Sequence, residues 1–402
     1  MQKVTRLLSA LRTFLLSASV LLGLWQDYRI QKAIRETASP RPRRLPQPAP
    51  RVSIILPVRN EQENIDGCLA SLLGQDYPDF EVIVVDDGST DATPARLAAW
   101  QQRDPRLRVQ RVDELPAGWA GKAHALHTGA TLAHGDWLLF TDADTRHAPQ
   151  TLRLMVAHAI AHRLDLLSMF TEMQIIGLAA RLLTPMTGLL LTVLITPGEI
   201  RSAAHPRQAF AFGQYILVRR EAYEATGGFA APEVRASFTE DMGIAQVFKR
   251  QGWREDIVGG CGLVKNVQWT TWRSAWRGLR KGAYGKLAPY PLLGLVGGCF
   301  LIYYGLAPLL TLREALRPGR LRQERLSALL ALLALGLQID SKRRFGQAFG
   351  LPARWALLAP LASTAFGMLL LDTMRLALNG QGADWKGRRA PRLTSSNVLP
   401  LL

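Results

Sequence analysis

Three acidic pairs are the residues of this chain best suited to chemistry. Asp86-Asp87 end a run of β-branched residues and lead into Gly88-Ser89; Asp142-Ala143-Asp144 follow the apolar run 137–141; Glu240-Asp241 open an amphipathic stretch after Thr239. Carboxylates two apart at a strand end can converge on one hard cation, Mg2+ or Mn2+, which would bridge them to diphosphate oxygens. Asp86 and Asp87, just past a strand, can accept hydrogen bonds from a uracil-type ring and a ribose. Each pair also has a simpler reading. Asp-Asp-Gly-Ser is a polar turn, one aspartate of Asp142/Asp144 is a cap, and Glu240-Asp241 is negative charge set against a helix N-terminal dipole.

The elements that must position these residues alternate. The pattern predicts strands at 52–58, 81–85, 106–112 and 137–141, with helices at 61–74 (Asn60 as N-cap), 91–102 and 122–134. Strand and helix in alternation predict an α/β domain whose mainly parallel sheet is covered on both faces. Ligands of such sheets bind beyond the carboxyl ends of the strands, where the first two acidic pairs fall.

The chain has 402 residues, 49 Lys and Arg against 32 Asp and Glu, and a formal charge of +17. That excess calls for an anionic partner, nucleic acid or anionic membrane lipid. Hydropathy separates them. Residues 291–312 carry no charge before Arg313 and are long enough to cross a hydrocarbon core of about 30 Å, which takes about 20 apolar residues. Shorter apolar runs at 326–339 and 355–371 span, or dip and return. Residues 7–25, apolar except for Arg12, read as an uncleaved anchor or interfacial helix, with a packed amphipathic helix as the alternative. The run 175–195, broken by Arg181, Pro185 and Gly188, is expected as amphipathic segments on a membrane surface, placing the site near the bilayer. No nucleic acid is expected, and the catalytic domain is expected to face the cytoplasm.

The resulting organisation is an anchor at 1–36, a Pro/Arg linker at 37–50, the α/β domain at 51–266, a Trp/Arg-rich interfacial segment at 267–288, membrane helices at 289–375 and a polar tail at 376–402. The three cysteines, Cys68, Cys261 and Cys299, lie far apart and exclude a disulfide framework or zinc site. His158 and His162 are expected to face solvent on a helix.

Taken in order, Leu56-Pro57-Val58-Arg59-Asn60-Glu61, Val85-Asp86-Asp87-Gly88-Ser89-Thr90, Asp142-Ala143-Asp144, Gly227-Gly228-Phe229 and Thr239-Glu240-Asp241 resemble the family 2 glycosyltransferases of GT-A fold over residues 51–255. The stretch Pro116 to Leu126, flanked by membrane segments, is similar to the branch of hopanoid-associated and carotenoid (diaponeurosporenoate-type) glycosyltransferases. The resemblance implies that Pro57, Glu61 and Asp87 line a nucleotide, with Asp86 supporting that turn, and that Asp144 with Asp142 hold a divalent metal and the diphosphate. It further implies that Lys122 approaches the donor and that Asp241, beside Glu240, is the catalytic base of an inverting transfer. A UDP-hexose donor and a lipid-like acceptor follow from family habit. The Gln-x-x-Arg-Trp motif of processive members does not fit Gln268 to Arg273, so transfer of a single sugar is expected. The runner-up acceptors are polyprenyl phosphate or a glycolipid. The competing classes are a basic nucleic-acid-binding protein and a membrane scaffold that has lost activity.

Overall fold

The computed structural model describes residues 2–174, 177–205, 208–237, 239–267, 271–317, 325–381, 384–385 and 388–389, without the side chains of 2–8, 179, 286 and those beyond 381. The chain divides into two compact units, one α/β (Glu36–Gln174, Pro197–Gln268 and Asp384–Leu402) and one helical (Met1–Arg35, Ile175–Thr196 and Trp269–Ala383).

The α/β unit begins with β1 (Val52–Val58), α2 (Ile65–Leu73), β2 (Phe80–Asp86), α3 (Thr93–Gln101), β3 (Leu107–Arg111), α4 (Gly121–Leu132) and β4 (Trp137–Phe140). These four strands run parallel in the order β3-β2-β1-β4. Every residue of β2 is buried, as befits a central strand covered on both faces. The expected helix at 61–74 starts later. Asn60 has a φ of 52° and is not an N-cap; its N–H donates to Ser89 Oγ (2.9 Å) and its side-chain oxygen accepts from Thr90 N–H (2.8 Å), which ties the turn after β1 to the turn after β2.

The second half was not laid out by the sequence pattern. It contains β5 (Thr145–His147), α5 (Thr151–Ala161), β6 (Leu166–Gln174), α7 (Pro197–Arg201), β7 (Ile216–Arg219), α8 (Arg220–Thr226), α9 (Pro232–Arg235), α10 (Glu240–Arg250) and β8 (Glu255–Val267). The eight-stranded sheet has the order β3-β2-β1-β4-β7-β6-β8-β5, with β7 antiparallel to both β4 and β6. The sheet is therefore mixed and mainly parallel. An antiparallel β7 has a consequence for the site, because its first residue, Ile216, pairs with Phe140 at the end of β4. The residues leading into β7 arrive where β4 ends. Gly228, at φ +50°, lies against Tyr223; a Cβ there would be 2.2 Å from the ring, so the second glycine of Gly227-Gly228-Phe229 has no substitute. The expectation that His158 faces solvent is overturned. Helix α5 packs it into the core, 4.3 Å ring to ring from exposed His162, and burial drives its pKa down to about 4.

The helical unit comprises α1 (Gln2–Glu36), α6 (Leu178–Leu194), α11 (Trp272–Leu287), α12 (Pro291–Ala315), α13 (Arg325–Ala348), the 3-10 turn Ala353–Leu358 and α14 (Ala359–Leu378). Residues 178–194, expected as broken segments, form one helix that carries Pro185 inside it. Residues 268–270 of the expected interfacial segment lie outside the described residues, as does most of the expected polar tail. Trp276 and Arg280 of α11 both donate to Asp372 of α14, at 2.9 and 3.1 Å. Helices α12 and α14 approach through glycine. A Cβ on Gly298 would lie 3.0 Å from the Gly367 carbonyl, and one on Gly305 would lie 2.4 Å from the Pro360 carbonyl and from Thr364 Oγ1. Small residues let helix backbones close up where an apolar surround supplies no drive of its own. By length and composition, Pro291–Ala315 and Ala353–Leu378 could each cross a membrane. Among the described residues, every exposed large hydrophobic side chain belongs to this unit, from Leu11 and Phe14 to Leu361 and Leu378.

Gly305→Leu is expected to lower the stability of the purified chain by on the order of 1–3 kcal/mol through overpacking, read as a drop in Tm. Gly297→Leu is the control, since the nearest atom to a Cβ there is 4.0 Å away. Equal losses from the two variants would contradict close glycine packing.

Candidate active site

Two groups of side chains gather at the carboxyl ends of β1, β2 and β4. In the first, buried Asp86 accepts from Ser89 N–H through Oδ1 and from Arg111 through Oδ2, both at 2.9 Å. Buried Asp87 donates its N–H to the Val58 carbonyl (2.9 Å), and its own carbonyl accepts from Arg59, whose guanidinium is 3.9 Å from the Asp87 carboxylate. Glu61 donates its N–H to Thr93 Oγ1 (2.9 Å) and accepts from the Asn64 side chain (3.0 Å). Pro57 sits in β1 opposite Val85 of β2. The sequence reading did not give Arg59 or Arg111 a role. Their positions at the ends of β1 and β3, beside carboxylates, were the available signal.

The second group is tighter. Lys122, in the first turn of α4, places Nζ 2.7 Å from Asp142 Oδ1 and 2.9 Å from Glu240 Oε1. Glu240 is buried and Asp241 half-buried at the start of α10, where the helix dipole favours negative charge. Asp241 accepts from Met242 N–H (2.9 Å) and from Gly213 N–H (3.3 Å). Gly213 lies on the segment leading into β7. A Cβ at that position would be 3.0 Å from Lys122 Nζ, 3.4 Å from Asp142 Oδ2 and 3.7 Å from Asp241 Oδ2. The site therefore closes around a glycine, which the sequence reading missed because the antiparallel β7 was not legible.

Three carboxylates meet one ammonium here, a formal excess of two negative charges. Burial opposes the Lys122 charge, but Asp142, Glu240 and Asp241 together outweigh it and hold the ammonium well above its ordinary pKa of 10.5. The group is protonated throughout the neutral range.

A polar floor lies beneath Asp142. Thr145 Oγ1 donates to the Asp142 carbonyl (2.7 Å), Thr141 Oγ1 donates to the Gln214 carbonyl (2.8 Å), and the Nε2 of buried His147 is 3.1 and 3.0 Å from the two hydroxyls. Burial, with Arg146 adding repulsion, pushes the His147 pKa down to about 3, so the imidazole is neutral and serves as a hydrogen-bonding strut. Half-buried Asp144 comes next, its carbonyl accepting from Val267 N–H (2.8 Å). Its carboxylate reinforces the effect of burial on the Cys68 thiol, which is pushed up to about 12. On the approach to α4, the Trp119 ring stacks on His127 (5.2 Å) and meets His124 edge-on (5.3 Å). Among the described residues, no three His, Cys, Asp or Glu side chains form a metal cage of their own.

Residues 53–226, somewhat under half of the chain, match the model of Glycosyl transferase family 2, and the α/β unit has a GT-A-like fold. Over 185 residues it is 34% identical to the 4,4'-diaponeurosporenoate glycosyltransferase of Staphylococcus aureus (strain USA300), a match covering 44% of this chain and 46% of that protein. The chain thus matches about half the length of these curated relatives. Among solved structures, the mannosyltransferase PcManGT from Pyrobaculum calidifontis, in complex with GDP-Man and Mn2+, aligns with a TM-score of 0.52 at 22% identity, covering 92% of this chain and 99% of that one. At that identity the likeness speaks to fold.

The Lys122 network makes a pH-dependent prediction. The folded-state pKa of Lys122 lies above the unfolded value, so its contribution to stability is whole below pH 10.5 and declines only as pH rises toward the folded-state value. Lys122→Met should cost about 1–3 kcal/mol in denaturant unfolding at pH 7. The loss should be the same at pH 9, where the Lys122 ammonium of the folded protein is still charged. A loss that disappears at pH 9 would contradict the network.

Proposed function

We propose that this protein is an inverting, metal-dependent glycosyltransferase that moves one sugar from a nucleotide-sugar donor, a UDP-hexose, to a membrane lipid or isoprenoid of carotenoid or hopanoid type. The observation that carries the reading is the convergence of Lys122, Asp142, Glu240 and Asp241 around Gly213 at the strand ends. Asp87, Glu61 and Pro57 would line the nucleotide, with Asp86 holding the turn through Ser89 and Arg111. The relative named as a diaponeurosporenoate glycosyltransferase supports an isoprenoid acceptor. Two helices of spanning length and the exposed leucines of the helical unit support an integral membrane protein, and the basic residues flanking its apolar runs favour a catalytic domain on the cytoplasmic side.

Asp142 and Asp144 fit a hard divalent cation. Both are oxygen donors, the cluster holds excess negative charge, and Mg2+-type sites use one or two carboxylates completed by substrate phosphates. Mg2+ or Mn2+ held there would neutralise the departing diphosphate. Lys122, protonated and already at Asp142, would add a second cation near the leaving group, and Glu240 would keep it in position. Asp241, oriented by the N–H groups of Gly213 and Met242, would take the proton of an acceptor hydroxyl. The hydroxyl oxygen bonds to the anomeric carbon as the bond to the diphosphate breaks, and the configuration inverts.

Asp241→Asn is expected to lower transfer to a hydroxyl acceptor by about 10²- to 10⁴-fold, the worth of a general base, with donor affinity unchanged. Undiminished turnover with a hydroxyl acceptor would rule Asp241 out as the base. A carboxylate acceptor has no proton to lose, so the variant also sorts acceptor classes. Asp144→Ala should remove the Mn2+-dependent heat of donor binding in titration calorimetry; a normal signal would place the metal elsewhere.

A further inference from the structure

Within the helical unit, α6, α13 and the turn Ala353–Leu358 line a partly open depression formed by Arg181, Lys342, Arg343, Leu351 and Trp355 among others. Its charges are unevenly matched. Arg343 and Arg344 both bond to Asp340, at 2.9 and 2.6 Å. Lys342 is only 4% exposed, and among the described residues its Nζ has no hydrogen-bond partner. The Arg181 guanidinium lies 4.4 Å over the Trp355 ring, and no carboxylate among the described residues pairs with it. A buried ammonium with neither counter-charge nor acceptor is costly to keep, and an anion in the cleft would offset that cost.

We propose that this cleft is a phosphate-binding site, in which the Lys342 ammonium and the Arg181 guanidinium, held flat by Trp355, donate hydrogen bonds to one phosphoryl group. Two uncompensated cations match the charge of a phosphate monoester, and a planar guanidinium can take two of its oxygens. The surroundings point to a lipid as the source. The cleft includes Ala353, Trp355 and Ala356 at the start of a candidate membrane span, the level at which headgroups lie. The elements that line it also carry exposed Leu178 (57%) and Leu357 (68%), apolar surface suited to acyl chains. The proposal does not depend on the sugar-transfer reading, since the site is built from residues that take no part in it.

The test is native mass spectrometry of the full chain in detergent, titrated with dioleoyl phosphatidic acid and, separately, with dioleoylglycerol, which differs only in lacking the phosphate. One phosphatidic acid should bind and dioleoylglycerol should not. Lys342→Met and Arg181→Gln should each weaken binding at least tenfold. Without lipid, Lys342→Met should raise Tm, because it removes a buried unmatched charge at similar volume, which also guards against misfolding as the cause of lost binding. Inorganic phosphate forms the second arm. One-to-one phosphate binding lost in both variants, with no binding of phosphatidic acid, would keep the phosphate site and assign it to a free ligand. Binding of phosphatidic acid that survives both substitutions, or no binding of either probe, would overturn the proposal.

Discussion

The arrangement of the α/β unit turns on one electrostatic requirement, that the carboxylates of Asp142, Glu240 and Asp241 can share a small volume only with a cation among them. Lys122 supplies it, bonded to two of the three. The requirement fixes where several elements must end. Helix α4 must begin, β4 must stop and α10 must begin at the same place, while β7 enters antiparallel so that a residue without a side chain can fill the centre. The neutral His147 and two threonine hydroxyls hold Asp142 and Gln214 from below and add no further charge. The geometry is thus held by contacts within the chain itself, and the group keeps a formal excess of negative charge.

Much of this was legible in the sequence, for definite reasons. Strands β1, β2 and β4 announce themselves as short apolar runs bounded by turn residues, β3 shows only the alternation of Leu107 and Val109 with polar neighbours, and each acidic pair stands at an element boundary, where polar residues stand out. The later strands were not legible. β7 is four residues long, and the long β8 contains three glycines within Gly259 to Gly262, which erase any alternation. With β7 unseen, nothing could bring Gly213 to Lys122. Arg59 and Arg111 escaped because arginine is abundant in this chain and carries no spacing signal of its own. His158 was misplaced for the opposite reason. Its polar side chain suggested solvent, whereas the apolar run Met155 to Ile160 around it set the buried face of α5.

The helical unit follows different rules. Its contacts are glycine-mediated approaches and a few polar ties, such as Gln338 to the Tyr304 carbonyl at 2.8 Å, rather than a large apolar core excluding water. Residues 178–194 show how composition can mislead there: Pro185 suggested a break, yet the helix runs through it. Charges inside this unit are accordingly informative. Asp340 and Asp372 each gather arginines, and Lys342, buried without such a partner, stands apart from that pattern.

The most direct test of the account is to incubate the purified full chain with a panel of nucleotide sugars, Mn2+ and a total lipid extract, and to follow the lipids by mass spectrometry. The account predicts a hexose-sized mass increase on a single lipid class with one donor, abolished when the metal is chelated. No mass increase on any lipid with any donor would contradict it.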